Sequence, residues 1–523
     1  MCSEPGQRLL RDAIEKRDLD AVVVAACSPA MHEKTFRGAS SSVGMNPYRC
    51  EIANIREQCS WVHQQDPDRA TEKALQVVQT LVERASRDEE LEPFSMPLTK
   101  HALVIGGGVA GMQAALDLAD ASYPVVLVER EDHLGGRMAQ LSGTYLNFDA
   151  APGLLQGMVD RVLNHPNIQV LTGAQVTKVE GYVGNFDVTV KSRKEETSHG
   201  VGAIVVATGW SPYPQERLPE YGGGKIPDVV DGLTFEKMLQ DGAVPRRPSD
   251  GKIPREVVFV QCAGSRDSER GVPYCSKVCC MYVAKQATMF KERVPEGQAY
   301  VFYIDIRSAG KGYDEFVQQA MEEQGVLYLR GKVSKIFRDG DKTIVWGADT
   351  LSGQPVAVDA DLVVLATPMA PDPGATELAQ TLRVGIDQNN FFSEAHPKLR
   401  PVESLTAGIF LAGAVQGPKD IPEAVSQASG AAAKVLQLFS HNEMIQEPTV
   451  AYVIEELCSG CGVCVGACPY DARVVDPLRG VITINAALCQ NCGACVVACP
   501  NKASQIHNWT IEQVLAMADV VSW

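Results

Sequence analysis

The sequence predicts an α/β protein of several domains: two interleaved three-layer folds, a small α/β segment before them and a cysteine-rich duplication after them. Three observations carry this. A strand, glycine turn, helix and strand run together from Lys100 (HALVIGGGVAGMQAALDLADASYPVVLVER). Further strands recur at VGAIVVATG, REVVFVQCAG, AYVFYIDIR and DLVVLATP. Finally, CSGCGVCVGACP at 458 returns as CQNCGACVVACP at 489, an offset of 31 positions.

Composition sets the frame. At 523 residues the chain has room for several cores of ~150 residues each. With 45% hydrophobic and 21% charged residues it is an ordinary folded protein. A net charge of -16 repels a phosphate backbone, so no nucleic-acid partner is expected. No apolar run reaches ~18 residues, and MCSEPGQRLL lacks a signal core, which predicts no membrane span and a cytoplasmic location. Sixteen cysteines in a reducing compartment point to metal ligation or redox chemistry.

In chain order, residues 1–95 form the N-terminal α/β domain, with LDAVVVAACSP as a strand and TEKALQVVQTLVERAS as a helix. SRDEELEPFSMP is a charged linker. Residues 96–250 and 371–440 form one nucleotide-binding domain, and 251–370 a second Rossmann-like domain inserted into it. HNEMIQEPTVAY reads as another linker, either a tether or a rigid connection, and 450–523 as the domain holding the duplication.

Gly106, Gly108 and Gly111 make G-x-G-x-x-G directly after a strand, and Glu129 ends the next strand. In that context the glycines allow the tight turn, the pyrophosphate's approach and helix–strand packing, while Glu129 accepts ribose hydroxyls. Arg130 adjoins that site. The continuation REDHLGGRM resembles flavoproteins, in which Gly135, Gly136 and Arg137 approach the pyrophosphate. FAD is therefore favoured over NAD. VVATG, ending at Gly209, and GIFLAGAVQG, containing Gly413, resemble segments that carry flavin contacts, although Ala414 stands where many such enzymes have Asp. Lys285 is expected to project toward the isoalloxazine, and Lys419 is the competing cation near the flavin.

Cys458, Cys461, Cys464 and Cys468-Pro469, repeated as Cys489, Cys492, Cys495 and Cys499-Pro500, have the spacing of a two-cluster ferredoxin. The fourth cysteine of each run reaches across. One [4Fe–4S] cluster thus takes Cys458, Cys461, Cys464 and Cys499, and the other Cys489, Cys492, Cys495 and Cys468. Structural zinc also takes paired cysteines, but leaves the third cysteine and the Cys-Pro of both halves unexplained. The second Rossmann-like domain has no glycine loop after REVVFV. Cys262, Cys275, Cys279 and Cys280 stand there instead, as ligands of a third [4Fe–4S] cluster or as buried redox-active thiols. Cys2, Cys27, Cys50 and Cys59 read as core or loop thiols, and His32 and His63 as ordinary polar residues.

Over essentially its whole length the chain resembles the A-subunit family of heterodisulfide reductase. The carriers are VVVAACSPAMHEKTF, ANIREQCSWVH, the glycine loop, the Cys262–Cys280 motif, GPKDIPEAVSQASG and the ferredoxin tail. The resemblance implies a thioredoxin-reductase-like core holding FAD and three [4Fe–4S] clusters. It implies electron bifurcation or confurcation in a multi-subunit, or dimeric, complex with B- and C-type subunits, ferredoxin and a donor subunit linked to a hydrogenase or dehydrogenase. The alternative is a non-bifurcating relay feeding a quinone or a low-potential reductase. Two departures stand out. GNFDVTVKSRKEETSHGVG closes in one hairpin the region where relatives carry a second ferredoxin-like insert. The chain also begins inside the family's N-terminal domain, and GTYLNFDAAPG has Ala where relatives often place cysteines.

Overall fold

The computed structural model describes residues 2–193 and 195–521. Leu98–Asn442 is one compact unit; the residues through Pro97 together with those from Glu443 form the other.

The Leu98–Asn442 unit contains two five-stranded parallel sheets. The first runs in the order Ile409–Leu411, Ala203–Val206, Ala102–Ile105, Val125–Val128, Ile168–Leu171. Its central strands are apolar on both faces because helices cover one and a β-meander the other. Helix Val109–Asp120 packs on helix Ile421–Phe439 through Ala114, Ala115, Ala428, Ala431 and Ala432, all fully buried, and these small side chains let the helices approach closely. On the opposite face lies the antiparallel meander Ala174–Tyr182, Asn185–Ser192 and Glu196–Val201.

The second sheet repeats the plan, in the order Val229–Asp231, Leu362–Leu365, Glu256–Val260, Gln298–Tyr303, Leu327–Arg330, with its own meander over 333–360. Buried Phe235 and Phe259 meet edge to face at 5.5 Å beneath it, each contributing roughly 1.5–3 kcal/mol by burial. The chain leaves and re-enters the first fold through Trp210–Pro212 and Met369–Pro371, which pair antiparallel. The α/β class with two interleaved Rossmann-like folds is thus observed.

In the other unit, strands Val22–Ala26 and Cys50–Asn54 pair in parallel beside helices Glu4–Arg17, Pro29–Ser41 and Pro67–Ala85. The two sequence linkers prove to be partners: Phe94–Pro97 pairs antiparallel with Glu443–Gln446. Helix Ile511–Val521 packs on Pro67–Ala85, Arg84 Nε donates to the Asn508 carbonyl, and Gln513 Nε2 donates to Asp88. The cysteine-rich segment is therefore anchored to the N-terminal segment, not tethered free of it. The duplication is visible in the backbone: the antiparallel partners Ala451–Val453 and Ser504–Ile506 correspond to Ile482–Ile484 and Arg473–Val475.

Candidate flavin and iron–sulfur sites

The glycine loop has the geometry that its spacing demands. Gly106 sits at φ +109, and a Cβ there would overlap the Ala207 carbonyl; a Cβ on Gly111 would overlap the Gly106 carbonyl. Gly108 caps helix Val109–Asp120, and a Cβ there meets no atom within 4 Å. That open face, at a helix N-terminus, would suit a pyrophosphate. Gly135 bridges Gly108 in parallel, and Gly136 (φ +54) lies against the Gly108 backbone.

Glu129 is buried; its Oε2 accepts from Gly107 N at 2.6 Å and its Oε1 from Glu131 N at 2.8 Å, which fixes the carboxylate at the strand end. Arg130 is engaged elsewhere, in a two-point pair with Asp372 at 2.8 and 2.7 Å. Arg137 is half-buried, with Nε donating to the Trp210 carbonyl at 3.3 Å. Gly209 turns at φ +73 with open space around it. Gly413, also at φ +73, has its N–H capped by Gln427 Oε1 at 2.8 Å. Lys419 donates to Gln416 Oε1 at 3.3 Å, and burial pushes its pKa down.

Lys285 is not a free cation. Its Nζ lies 2.7 Å from Glu236 and donates to the Gly143 carbonyl at 2.7 Å, on the segment that follows Arg137. Glu236 also accepts from Ser142 and Gln286, so one buried carboxylate joins the cysteine-bearing helix to the loop after Arg137. Burial lowers the lysine's pKa against the pull of Glu236. Sequence reading missed Glu236, whose only local signature is its place in helix Gly232–Met238. It also missed Asp420, which accepts from the hydroxyls of both Tyr145 and Tyr313.

Beyond strand Glu256–Val260 the chain turns at Cys262 with φ +55, and Arg266 and Lys277 also have positive φ. Such strain in non-glycine residues persists where surrounding structure imposes it, as around a ligand. Helix Cys279–Arg293 begins at the paired cysteines. Cys262, Cys275, Cys279 and Cys280 line one small pocket with Asp305 and Arg307. Burial, followed by the neighbouring thiols, raises Cys279, and burial pushes Cys280 up to about 11. Buried thiols such as Cys279 and Cys280 ionise side by side only with compensating positive charge, which iron would supply. Backbone N–H groups already aim at the sulfurs: Lys277 N at Cys275 (3.2 Å) and Arg307 N at Cys280 (3.3 Å).

In the tail, Cys468 lines one pocket with Cys489, Cys492 and Cys495. Cys464 and Cys499, which the spacing predicts to share a quartet with Cys458 and Cys461, are close enough to interact electrostatically. Helices Val463–Gly466 and Ala494–Ala498 are entered through Gly462 and Gly493, both at φ +76. Among the described residues no three His, Cys, Asp or Glu side chains converge on a single-ion position. Two of the cysteine quartets line small pockets, an arrangement that would suit a four-iron cube. Cys59 is buried in the turn Arg56–Ser60, and Cys27 accepts from Arg56 at 3.4 Å. No helix among the described residues is long and apolar enough to cross a membrane.

Comparison with known proteins bears on the whole chain. The pyridine nucleotide-disulphide oxidoreductase family model matches residues 100–247 and the 4Fe-4S dicluster domain model residues 457–503. An iron-sulfur A subunit of CoB–CoM heterodisulfide reductase from Methanopyrus kandleri, the one numbered 2, is 40% identical, over 90% of this chain and 84% of its own. The corresponding A subunit of Methanocaldococcus jannaschii is 39% identical over 605 aligned residues, covering 100% of this chain and 92% of its own. Since that alignment is longer than this chain, the relative carries insertions that this one lacks. Among solved structures, a thioredoxin reductase of T. acidophilum aligns at TM-score 0.45 and 17% identity, over 65% of this chain and 100% of that one. With a flavin-type oxidoreductase domain, a 4Fe–4S dicluster domain and full-length relatives at this identity, the chain belongs to the A-subunit family of heterodisulfide reductase and is an oxidoreductase.

Proposed function

We propose that this chain is a cytoplasmic FAD and iron–sulfur subunit that moves electrons by bifurcation or confurcation between a donor subunit, ferredoxin and a disulfide-type acceptor. The observation that carries this reading is the cysteine pocket at Cys262, Cys275, Cys279 and Cys280, standing where the second Rossmann-like fold would otherwise cradle a nicotinamide pyrophosphate. Electrons then enter or leave the flavin fold through a cluster and not through a bound nicotinamide.

FAD supplies the exchange between two-electron and one-electron chemistry. The chain's own residues do the rest. Gly106, Gly108, Gly111 and Gly136 would shape the pyrophosphate cradle, Glu129 would hold the ribose and Arg137 would serve the phosphates, while Arg130 is held in its pair with Asp372. Gly209, Gly413 and Lys419 would complete the flavin site, and Lys285 would tune the flavin as half of the pair with Glu236. Three [4Fe–4S] clusters follow from the three cysteine quartets. Partners of the B and C type and a hydrogenase- or dehydrogenase-linked donor complete the complex, as the names of relatives such as the A subunit of the H2:CoB–CoM heterodisulfide,ferredoxin reductase of Methanothermobacter thermautotrophicus suggest.

The test is anaerobic reconstitution with such partners and a redox titration of the bound flavin. Crossed one-electron potentials, with ferredoxin reduction that requires the disulfide acceptor, are expected. Well-separated, normally ordered potentials with turnover on a single acceptor would assign a simple relay.

A further inference from the structure

Two buried polar side chains beside the Cys262–Cys280 quartet have donors with no partner among the described residues. Gln261 directly follows strand Glu256–Val260, and its backbone N–H donates to the Phe302 carbonyl at 3.0 Å, which fixes it next to Cys262. It is 5% exposed; its side-chain Oε1 accepts from the Cys280 thiol at 3.3 Å, while its Nε2 is buried and unpartnered. Ser265, 4% exposed, lines the pocket with the four cysteines, and its Oγ is likewise buried and unpartnered. The charged side chains of that lining are paired, Arg307 with Asp305 at 3.5 Å and Lys277 with Glu423.

A buried N–H2 without an acceptor is costly and calls for an explanation. The side chain of Gln261 is set for a thiol: the S–H of Cys280 donates, so the amide presents its oxygen. A cysteine sulfur bound to iron carries no hydrogen and only accepts. Half a turn of the terminal amide exchanges its oxygen and nitrogen with almost no change of shape, and Nε2 then donates to the Cys280 sulfur. The same turn relieves the orphaned donor and the clash of two acceptors. It leaves a carbonyl unpaired, which buried structure tolerates more readily than an unpaired N–H. A hydroxyl rotates freely, so Ser265 offers a second neutral donor within the pocket lining. Hydrogen bonds to the sulfurs of a cluster stabilise its more negative, reduced state and raise its potential.

We propose that Gln261 and Ser265 are positioning residues for a cluster held by Cys262, Cys275, Cys279 and Cys280, donating hydrogen bonds to its sulfurs, Gln261 to that of Cys280, and so raising its reduction potential. This rests on the quartet binding a cluster, which iron content checks first.

The experiment is an EPR-monitored redox titration of the anaerobically loaded full chain, with this cluster's signal identified by its loss in Cys275→Ala. Gln261→Leu is expected to lower the reduction equilibrium constant about tenfold, or about 59 mV for a one-electron couple, and Ser265→Ala about threefold. After exchange into deuterated water, deuterium ENDOR of the reduced cluster should show a coupled deuteron that Gln261→Leu lacks. Gln261→Met, different in shape but equally without a donor, should shift the midpoint alike, and it decides the matter if Gln261→Leu does not load fully. A fully loaded donorless variant with an unmoved midpoint, or with the deuteron coupling intact, would overturn the proposal. So would a shift in Gln261→Leu that Gln261→Met does not share, which would place the effect in packing. Wild-type protein holding about eight iron, unchanged in Cys275→Ala, would overturn the cluster reading itself and this proposal with it.

Discussion

The ammonium of Lys285 lies 2.7 Å from the carboxylate of Glu236, and the two side chains are only 2% and 3% exposed. Breaking a buried pair leaves an uncompensated charge at a cost of about 3–5 kcal/mol. Lys285→Met should therefore lower the temperature of flavin release and shift the flavin potentials. Adding Glu236→Gln should restore most of the stability, because glutamine keeps partners in Ser142 and Gln286, without restoring the potentials. Thermal release monitored by flavin fluorescence, together with redox titration, reads both.

Gly106→Ala and Gly108→Ala should separate folding from binding. At Gly106 the φ of +109 and the overlap with Ala207 make alanine destabilising, by ~1–3 kcal/mol from backbone strain before the clash is counted. At Gly108 a methyl meets only open space, so the protein should fold normally yet lose FAD as the methyl fills the phosphate cradle. Circular dichroism and flavin content distinguish the two.

Iron content tests the number of clusters. Loaded protein should hold about 12 iron per chain, as three four-iron cubes. Cys275→Ala should hold about eight while keeping its FAD, as measured by iron and flavin assay.

Nicotinamide should be a poor reductant of the isolated chain, because Cys262 and its neighbours occupy the turn after Glu256–Val260. Stopped-flow mixing with NADH or NADPH is expected to show no rapid, saturable bleaching of the flavin.

The anchor between the N-terminal segment and the tail should weaken as pH rises. Burial pushes Glu51 up to about 7 and Asp88 up to about 6, outweighing Arg84, which lies 3.1 and 3.9 Å from them. A raised folded pKa means that the folded state binds more protons, so this stabilisation is full below about pH 4 and is lost as pH climbs through 6 to 7. Amide exchange in Pro67–Ala85 and Ile511–Val521, corrected for intrinsic rate, should lose protection between pH 5 and 8. Glu51→Gln, which mimics the protonated acid, should flatten that dependence.

What the sequence determined alone was whatever its short spacings encode. The glycine turn, the repeated cysteine runs and the strand–helix alternation are local, because turn geometry and side-chain periodicity act over a few residues. Tertiary structure decided the long-range pairs. Lys285 looked like a free cation until Glu236, 49 residues away, arrived to neutralise it. Arg130 read as a cofactor contact and meets Asp372 across 242 residues. The two linkers contribute strands because Phe94–Pro97 and Glu443–Gln446 satisfy each other's backbone groups, a pairing that neither segment encodes by itself. Arg473 lies between these cases: the repeat makes it the counterpart of Ser504, but only the folded tail removes it from water and bonds it to that hydroxyl.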